Sequence, residues 1–363
     1  MWPDRRVIEL LQIEHPVVLS PMAGIGTVEL AAAVCAAGGL GSLGCATMEP
    51  ELVAKTIQAL RRLTHKPINV NFFCHVQAKA NAEREQAWRD RLSPYYCELG
   101  IHSELPRSRV DVAPFDDAMC SVVEDAKPEV VSFHFGLPDS ALLARVKAAD
   151  CRVMASATTV AEALWLEARG VDIIIAQGYE AGGHRGMFLG PNFNRASASQ
   201  PGTLALVPQV VDAVSVPVVA AGGIADGRGI AAAFALGAAG TQIGTAYLRC
   251  PEAATPSLYR DALRQARADT TFVTNVFTGR PARALVNRLA LEVSPISDAL
   301  PDFPLPMGEL APLRAMAEKN GNSDFTPFWS GQASPLGREM PAEALTRRLV
   351  EEAIERFKQL NSF

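Results

Sequence analysis

One glycine-rich stretch of this 363-residue chain combines residue types that could do chemistry. Residues 176–186 read AQGYEAGGHRG and follow the apolar run 171–175, which is typical of a strand covered on both faces. The stretch presents Gln177, two glycines, His184 and then Arg185. Because His184 lies on a loop and on no apolar face, we expect it to orient a substrate or to move a proton. Arg185 is expected to pair with an acid such as Glu180 or to brace the loop.

Glycines and carboxamides also follow other apolar runs. Gly222 and Gly223 end one run, and the sequence GTQIGTA ends the next. Glycine lets backbone N–H groups approach phosphate oxygens closely, so two such segments side by side favour a phosphate site over simple tight turns. The carboxamides of Asn71 and Gln177 can both donate and accept hydrogen bonds, which suits the edge of a flat heterocycle such as a flavin.

The elements that must position these residues repeat along the chain. Helical patterns rich in alanine and leucine separate most of the apolar runs. This alternation predicts an α/β fold, the (β/α)₈ TIM barrel, whose active sites lie at the carboxyl ends of the strands. The alternative, a doubly wound sheet, would carry GxGxxG after its first strand, and that motif is absent there. The predicted strands are residues 16–20, 39–43, 67–73, 130–136, 151–157, 171–177, 217–223 and 240–246.

Two segments depart from the repeat. Residues 249–325 predict a small cap domain after the eighth strand, so residues 1–248 and 326–363 form the barrel. Tyr259, Phe272 and Phe277 of the cap are candidate walls of a substrate pocket. Residues 74–113 are charged, with a helix predicted at NAEREQAWRDRL and with His75 and His102 expected at the surface. Asp226 is expected to cap the next helix, and the amphipathic pattern of residues 341–360 predicts a last helix that closes the barrel wall.

Composition narrows the class of protein. A formal net charge of −5 gives no reason to expect nucleic acid, and no apolar run is long enough to cross a membrane. The seven cysteines are scattered without metal-ligand spacing, which indicates free thiols in the cytoplasm and no metal site. The absence of GxSxG gives no support to a serine nucleophile. We expect a monomer or homodimer that acts on small molecules.

The motifs as a group resemble one known family. LSPMAGIGT, NVNFF, GYEAGGHRG, AAGGIADGRG and GTQIGTAYL are similar to the nitronate monooxygenases, formerly 2-nitropropane dioxygenases, over about residues 15–248 and again at PFWSGQ, residues 327–332. Within this wider flavin-dependent group, NVNFFCH and SFHFG favour the nitronate-oxidising class. An inosine-monophosphate-dehydrogenase type of barrel would need a cysteine after its sixth strand, and residues 178–202 contain none.

The resemblance implies FMN as cofactor and His184 as the active-site histidine. It also gives four weaker candidates for substrate contact, namely Asn69, His134, Ser330 and Gln332. The positions that the resemblance assigns to FMN are Pro21, Met22, Ala23, Asn71, Gln177, Gly182, Gly183, Gly222, Gly223, Gln242, Ile243, Gly244 and Thr245.

The activity that follows is the oxidation of alkyl nitronates, propionate 3-nitronate among them, by O₂. The products would be a carbonyl compound and nitrite, reached through a flavin semiquinone. His184 would act as a base only for neutral nitroalkanes, since a nitronate is already deprotonated. Two alternatives stay open: an FMN-dependent NAD(P)H:quinone reductase, and a non-catalytic FMN-binding protein.

Overall fold

The computed structural model describes residues 1–101, 112–190 and 192–360. Over these residues each of the eight predicted strand runs overlaps one parallel strand of a single sheet. The eleven strands of the described residues are β1 (Val17–Leu19), β2 (Gly41–Gly44), β3 (Ile68–Phe73), β4 (Val130–His134), β5 (Arg152–Ala157), β6 (Ile173–Gln177), β7 (Gly183–His184), β8 (Val218–Ala221), β9 (Gly240–Ile243), β10 (Thr271–Thr274) and β11 (Ala282–Leu285).

The parallel sheet closes into a barrel. Its strands follow the order β1-β9-β8-β6-β5-β4-β3-β2, so the first and last strands of the barrel pair with each other. On the other side of β1, the amide of Leu40 just before β2 donates to the carbonyl of Val17 at 2.9 Å, and Val18 bridges to Leu40. The (β/α)₈ barrel predicted from the alternating pattern is therefore confirmed.

Fourteen α-helices lie along the described residues, most of them around the barrel. Asp226 accepts hydrogen bonds from the amides of Arg228 and Gly229, which confirms it as a helix cap. None of the helices is long and apolar enough to cross a bilayer, over the ranges that the structure describes. The helices are α1 (Arg6–Leu11), α2 (Val28–Ala36), α3 (Pro50–Leu63), α4 (Ala82–Glu98), α5 (Asp117–Ala126), α6 (Ser140–Ala148), α7 (Val160–Glu167), α8 (Phe193–Ser197), α9 (Thr203–Ala213), α10 (Gly227–Ala235), α11 (Ser257–Gln265), α12 (Arg288–Val293), α13 (Pro306–Lys319) and α14 (Ala342–Leu360).

The last helix belongs to the barrel wall. Leu345, Leu349 and Ala353 of α14 are fully buried in the main hydrophobic cluster of the barrel. The helix packs against α10 and α2, which flank the point where the sheet closes. The amphipathic pattern of residues 341–360 thus buries its apolar stripe as predicted.

A second sheet, absent from the sequence-based prediction, joins the cap to the barrel. β10 pairs antiparallel with β11, and β11 pairs antiparallel with β7, the two residues Gly183 and His184. In this register Ala282 faces His184. The loop after β6 therefore pairs through β7 with β11, a strand of the segment that follows β9.

The helix of the charged segment packs with the cap as well. Trp88 and Leu92 of α4 lie in one hydrophobic cluster with Leu313 and Phe325, and α4 contacts α13. The predicted boundary at residue 249 assigns α4 to the barrel and α13 to the cap, whereas the two helices pack together. The expectation that His75 lies at the surface is wrong: it is 4% exposed, and its Nε2 lies 2.9 Å from the carbonyl of Val112. His102 lies outside the described residues.

Candidate active site

A cavity of about 480 Å³ lies at the carboxyl ends of the barrel strands, with cap residues on its far side. Tyr259 and Phe277 are among those cap residues, whereas Phe272 packs inside the cap. The structure brings most of the predicted site residues to this one cavity. They are Pro21, Met22, Ala23, Asn71, His134, Gln177, Gly182, Gly183, His184, Gly222, Gly223, Gln242, Gly244 and Thr245.

Four predicted residues do not line the cavity. Asn69 is fully buried two residues before Asn71 on β3, and its amide donates to Ser42 at 3.0 Å. Because side chains on a strand alternate in direction, Asn69 points into the barrel one layer deeper than Asn71. Ile243 is 1% exposed in the barrel core. The remaining two residues flank Gly331, which does line the cavity, and they are Ser330 and Gln332.

One wall of the cavity is made of closely packed backbone. Gly222 and Gly223 both have positive φ angles, +111° and +71°. A Cβ on Gly182 would lie 2.5 Å from the amide nitrogen of Gly331, and that amide donates to Thr245 Oγ1 at 3.0 Å. Backbone of the loops after β6 and β8 and of Gly331 therefore packs closely along this side of the cavity, here called the glycine wall (Gly182, Gly222, Gly223 and Gly331). Such a wall presents backbone dipoles at close range, which suits an anionic group such as a phosphate.

The carboxamide of Gln177 holds the loop that carries His184. Its Nε2 donates to the carbonyl of His184 at 2.9 Å, and its Oε1 accepts from the amide of Gly186 at 2.8 Å. His134 reaches the same carbonyl with its Nε2 at 3.2 Å, while its Nδ1 lies 3.0 Å from Ser156 Oγ. Since a carbonyl only accepts, Nε2 of His134 carries the proton and Nδ1 accepts from Ser156. The main chain at His184 is thus fixed from the barrel side.

The side chain of His184 meets the cap. Its Nε2 lies 3.0 Å from Thr278 Oγ1, and its ring centroid lies 5.6 Å from that of Phe303 and 5.2 Å from that of Trp329. Burial, together with nearby His134 and Arg280, lowers the pKa of His184 from 6.5 to about 3. Burial likewise lowers the pKa of His134 to about 4. Both imidazoles are therefore neutral at pH 7.

Thr278, Phe303 and Trp329 are site residues that the sequence analysis missed. They lie 94 or more positions after His184 in the chain, and no glycine pattern or strand end marks them. The one available signal was Trp329 itself, which lies within the PFWSGQ motif of residues 327–332. Their contribution depends on how the cap folds back over the barrel.

Three buried arginines surround the His184 loop. The side chain of Arg185, 1% exposed, donates to the carbonyls of Gly178 at 2.6 Å and Gln177 at 2.7 Å, so it braces the loop. Arg280 and Arg283 are 9% and 2% exposed. In the described parts of the chain, none of the three forms an ion pair with a carboxylate. Buried cations without a paired carboxylate favour an anionic ligand, and Arg280 also lowers the pKa of His184.

The chain matches the family model of nitronate monooxygenase over residues 4–352. It belongs to the nitronate monooxygenase family. A nitronate monooxygenase of Pseudomonas aeruginosa is 43% identical over 349 residues, which cover 96% of this chain and 98% of that relative. A nitronate monooxygenase of Paraburkholderia phytofirmans is 42% identical and covers 99% of this chain and 98% of its own length. The resemblance seen in the motifs is confirmed, and the chain is an oxidoreductase.

Solved structures agree with this assignment. The structure of nitroalkane oxidase from Streptomyces ansochromogenes aligns with a TM-score of 0.87 at 37% identity, covering 96% of this chain and 98% of that one. FabK from Thermotoga maritima aligns with a TM-score of 0.73 at 29% identity, covering 100% and 99%. The alignments span barrel and cap together.

Membership of the nitronate monooxygenase family implies a flavin cofactor, and the cavity fits one. The glycine wall can receive a phosphate without displacing side chains. On the neighbouring strand, Gln242 lines the cavity and its Oε1 is a buried oxygen without a hydrogen-bond partner among the described residues. A buried carboxamide oxygen needs an N–H or O–H donor, and the edge of a flavin ring provides N–H. The glycine wall and the unpaired acceptor of Gln242 line the same cavity.

Proposed function

We propose that this chain is an FMN-dependent enzyme that oxidises alkyl nitronates with O₂ to carbonyl compounds and nitrite. The observation that carries the proposal is the position of His184, which lines the same cavity as Gly222 and Gly223. When bound, the flavin supplies the electron acceptor. The chain's own residues bind the cofactor and the anion, orient them and exclude water.

Each part of the cavity has a role in this proposal. Gly222 and Gly223 would hold the phosphate through backbone contacts, and Gln242 would accept a hydrogen bond from the flavin ring. His184 would orient the nitro group without presenting a competing charge. Phe303 and Trp329 keep this end of the cavity apolar, and electrostatic interactions are stronger where water is excluded.

One charged side chain of the cap also lines the cavity. Arg314 of α13 lines the cavity and pairs with Glu318 at 2.7 Å. It is a cavity-lining cation among mostly apolar cap residues. A nitronate that carries a carboxylate, such as propionate 3-nitronate, could place its nitronate at His184 and its carboxylate at Arg314.

Two measurements on the purified protein test this function. Heat releases the cofactor for identification by mass, and an oxygen electrode records O₂ uptake with propionate 3-nitronate and with ethylnitronate, which lacks the carboxylate. We expect FMN, turnover of both nitronates and a lower KM for the first. Recovery of FAD, or no O₂ uptake with either nitronate, would contradict the proposal. Anaerobic bleaching by NADH without nitronate turnover would favour a quinone reductase.

A further inference from the structure

The hydroxyl group of Thr278 lies between the ring of His184 and the backbone of the cap. Thr278 is 3% exposed and sits in the connection from β10 to β11. Its Oγ1 is 3.0 Å from Nε2 of His184 and 3.3 Å from the carbonyl oxygen of Arg280. The amide nitrogen of Arg280 lies 3.4 Å from the same Oγ1. One hydroxyl therefore meets three polar groups.

Counting hydrogens decides the direction of these three contacts. A hydroxyl has one hydrogen to donate and two lone pairs to accept with. The carbonyl of Arg280 can only accept, so it takes the hydroxyl hydrogen. The amide of Arg280 can only donate, so its hydrogen is accepted by one lone pair of Thr278 Oγ1. The second lone pair is left for Nε2 of His184, which must then carry a hydrogen. If the hydroxyl of Thr278 donated to Nε2 of His184 instead, no hydrogen would lie between Thr278 Oγ1 and the carbonyl oxygen of Arg280.

The protonation of Nε2 fixes the other ring nitrogen. His184 is neutral at pH 7, so a proton on Nε2 leaves the lone pair on Nδ1. Nδ1 has no hydrogen-bond partner among the described residues, and His184 lines the cavity. The basic atom of the ring is thus the one that is not engaged by the protein.

We propose that Thr278 is a positioning residue that selects the Nε2–H tautomer of His184 and so makes Nδ1 the base for neutral nitroalkanes. This inference rests on the proposed function. In the step, the Cα–H bond of the nitroalkane breaks, its proton goes to Nδ1, and its electron pair stays on the nitronate. The resulting imidazolium keeps its Nε2–H bond to Thr278, whose hydrogen stays on the Arg280 carbonyl. A preformed nitronate needs no such step.

Two variants of Thr278 and one control test the inference. Thr278→Val keeps the shape and loses the acceptor, whereas Thr278→Ser keeps the hydroxyl. Thr274→Val removes another buried cap hydroxyl, one that accepts from the amide of Val276 at 3.2 Å. O₂ uptake is measured with the neutral and the anionic form of one nitro compound, on enzyme of checked flavin content.

The ratio of the two rates is the diagnostic quantity. Loss of one hydrogen bond should lower the neutral-to-anionic ratio in Thr278→Val by about three- to tenfold. Thr278→Ser should restore most of the ratio, and Thr274→Val should leave it as in the wild type. Equal losses for the two substrate forms in Thr278→Val, or a serine variant as impaired as the valine variant, would overturn the inference.

A spectroscopic measurement separates this inference from the proposed function. Long-range ¹H–¹⁵N spectra of ¹⁵N-histidine-labelled, flavin-loaded protein report the tautomer of each of the six histidines, with His184→Asn for assignment. We expect the Nε2–H tautomer for His184 and a changed signal in Thr278→Val. An Nδ1–H tautomer in the wild type would sink the inference even if nitronates are turned over. Failure of nitronate turnover with an Nε2–H tautomer would instead sink the proposed function.

Discussion

At the scale of single residues, His184 should separate two substrates that differ by one proton. In His184→Asn, turnover of a neutral nitroalkane should fall by about 10²–10⁴-fold, because its deprotonation loses the base. Turnover of the matching nitronate should fall by no more than about tenfold, since only an orienting hydrogen bond is lost. The assay is O₂ consumption with both forms of one compound, on protein whose flavin content equals that of the wild type. Small and equal losses would remove His184 from the role of base.

The partly buried imidazoles of His134 and His184 also make stability depend on pH. The pKa of His134 is lowered to about 4 and that of His184 to about 3, mainly by burial. In the unfolded chain both return to about 6.5, so below that pH the unfolded state binds more protons and folding is weakened. The unfolding free energy should therefore fall as the pH drops from about 6.5 towards 4.

Removing one of the imidazoles should flatten this dependence. In His134→Gln the slope should decrease by at most about 1.4 kcal/mol per pH unit, the contribution of one proton. Urea unfolding between pH 4.5 and 7 measures it, and His65→Gln, which changes an exposed histidine, is the control and should keep the wild-type slope. A wild-type slope in His134→Gln would mean that His134 is not held neutral by the fold.

At the scale of elements, the barrel strands could be predicted because their information is local. Residues 173–176 are apolar without alternation, and the structure places them in β6. β7 could not be predicted, because Gly183 and His184 become a strand only by pairing with β11, about a hundred residues later. Gln177 shows a related limit: the sequence predicts its place at the end of a strand, but no pattern marks its hydrogen bonds to the backbone at His184 and Gly186.

The glycine wall gives a test at this scale. Gly223→Val should lower flavin occupancy, because Gly223 lines the cavity and its φ of +71° is strained for a branched residue, so the loop would shift. Gly321→Val is the matched control, since Gly321 has a φ of +73°, lies in open space after α13 and is exposed. It carries the same backbone strain away from the cavity. The ratio of flavin absorbance to protein measures occupancy, and equal values for the two variants would place the phosphate elsewhere.

At the scale of the whole molecule, two hydrophobic cores meet at the cavity. The barrel core lies around the parallel sheet and includes Leu349. The cap core combines α4, α12 and α13, with Leu313 at 0% exposure beside Leu310 and Phe325. Leu310 and Phe325 line the cavity as well. The packing of the cap and the enclosure of the cavity therefore depend on the same side chains.

This shared packing predicts that two comparable leucine-to-alanine substitutions affect the cavity differently. Leu313→Ala and Leu349→Ala each empty a fully buried leucine site and should each cost about 2–5 kcal/mol of stability. Only Leu313→Ala should loosen the cavity wall, so iodide should quench the fluorescence of the bound flavin more strongly in this variant than in the wild type. Leu349→Ala should show wild-type quenching despite a similar fall in the urea midpoint. Unchanged quenching in Leu313→Ala would mean that the cap core does not control access of solvent to the flavin.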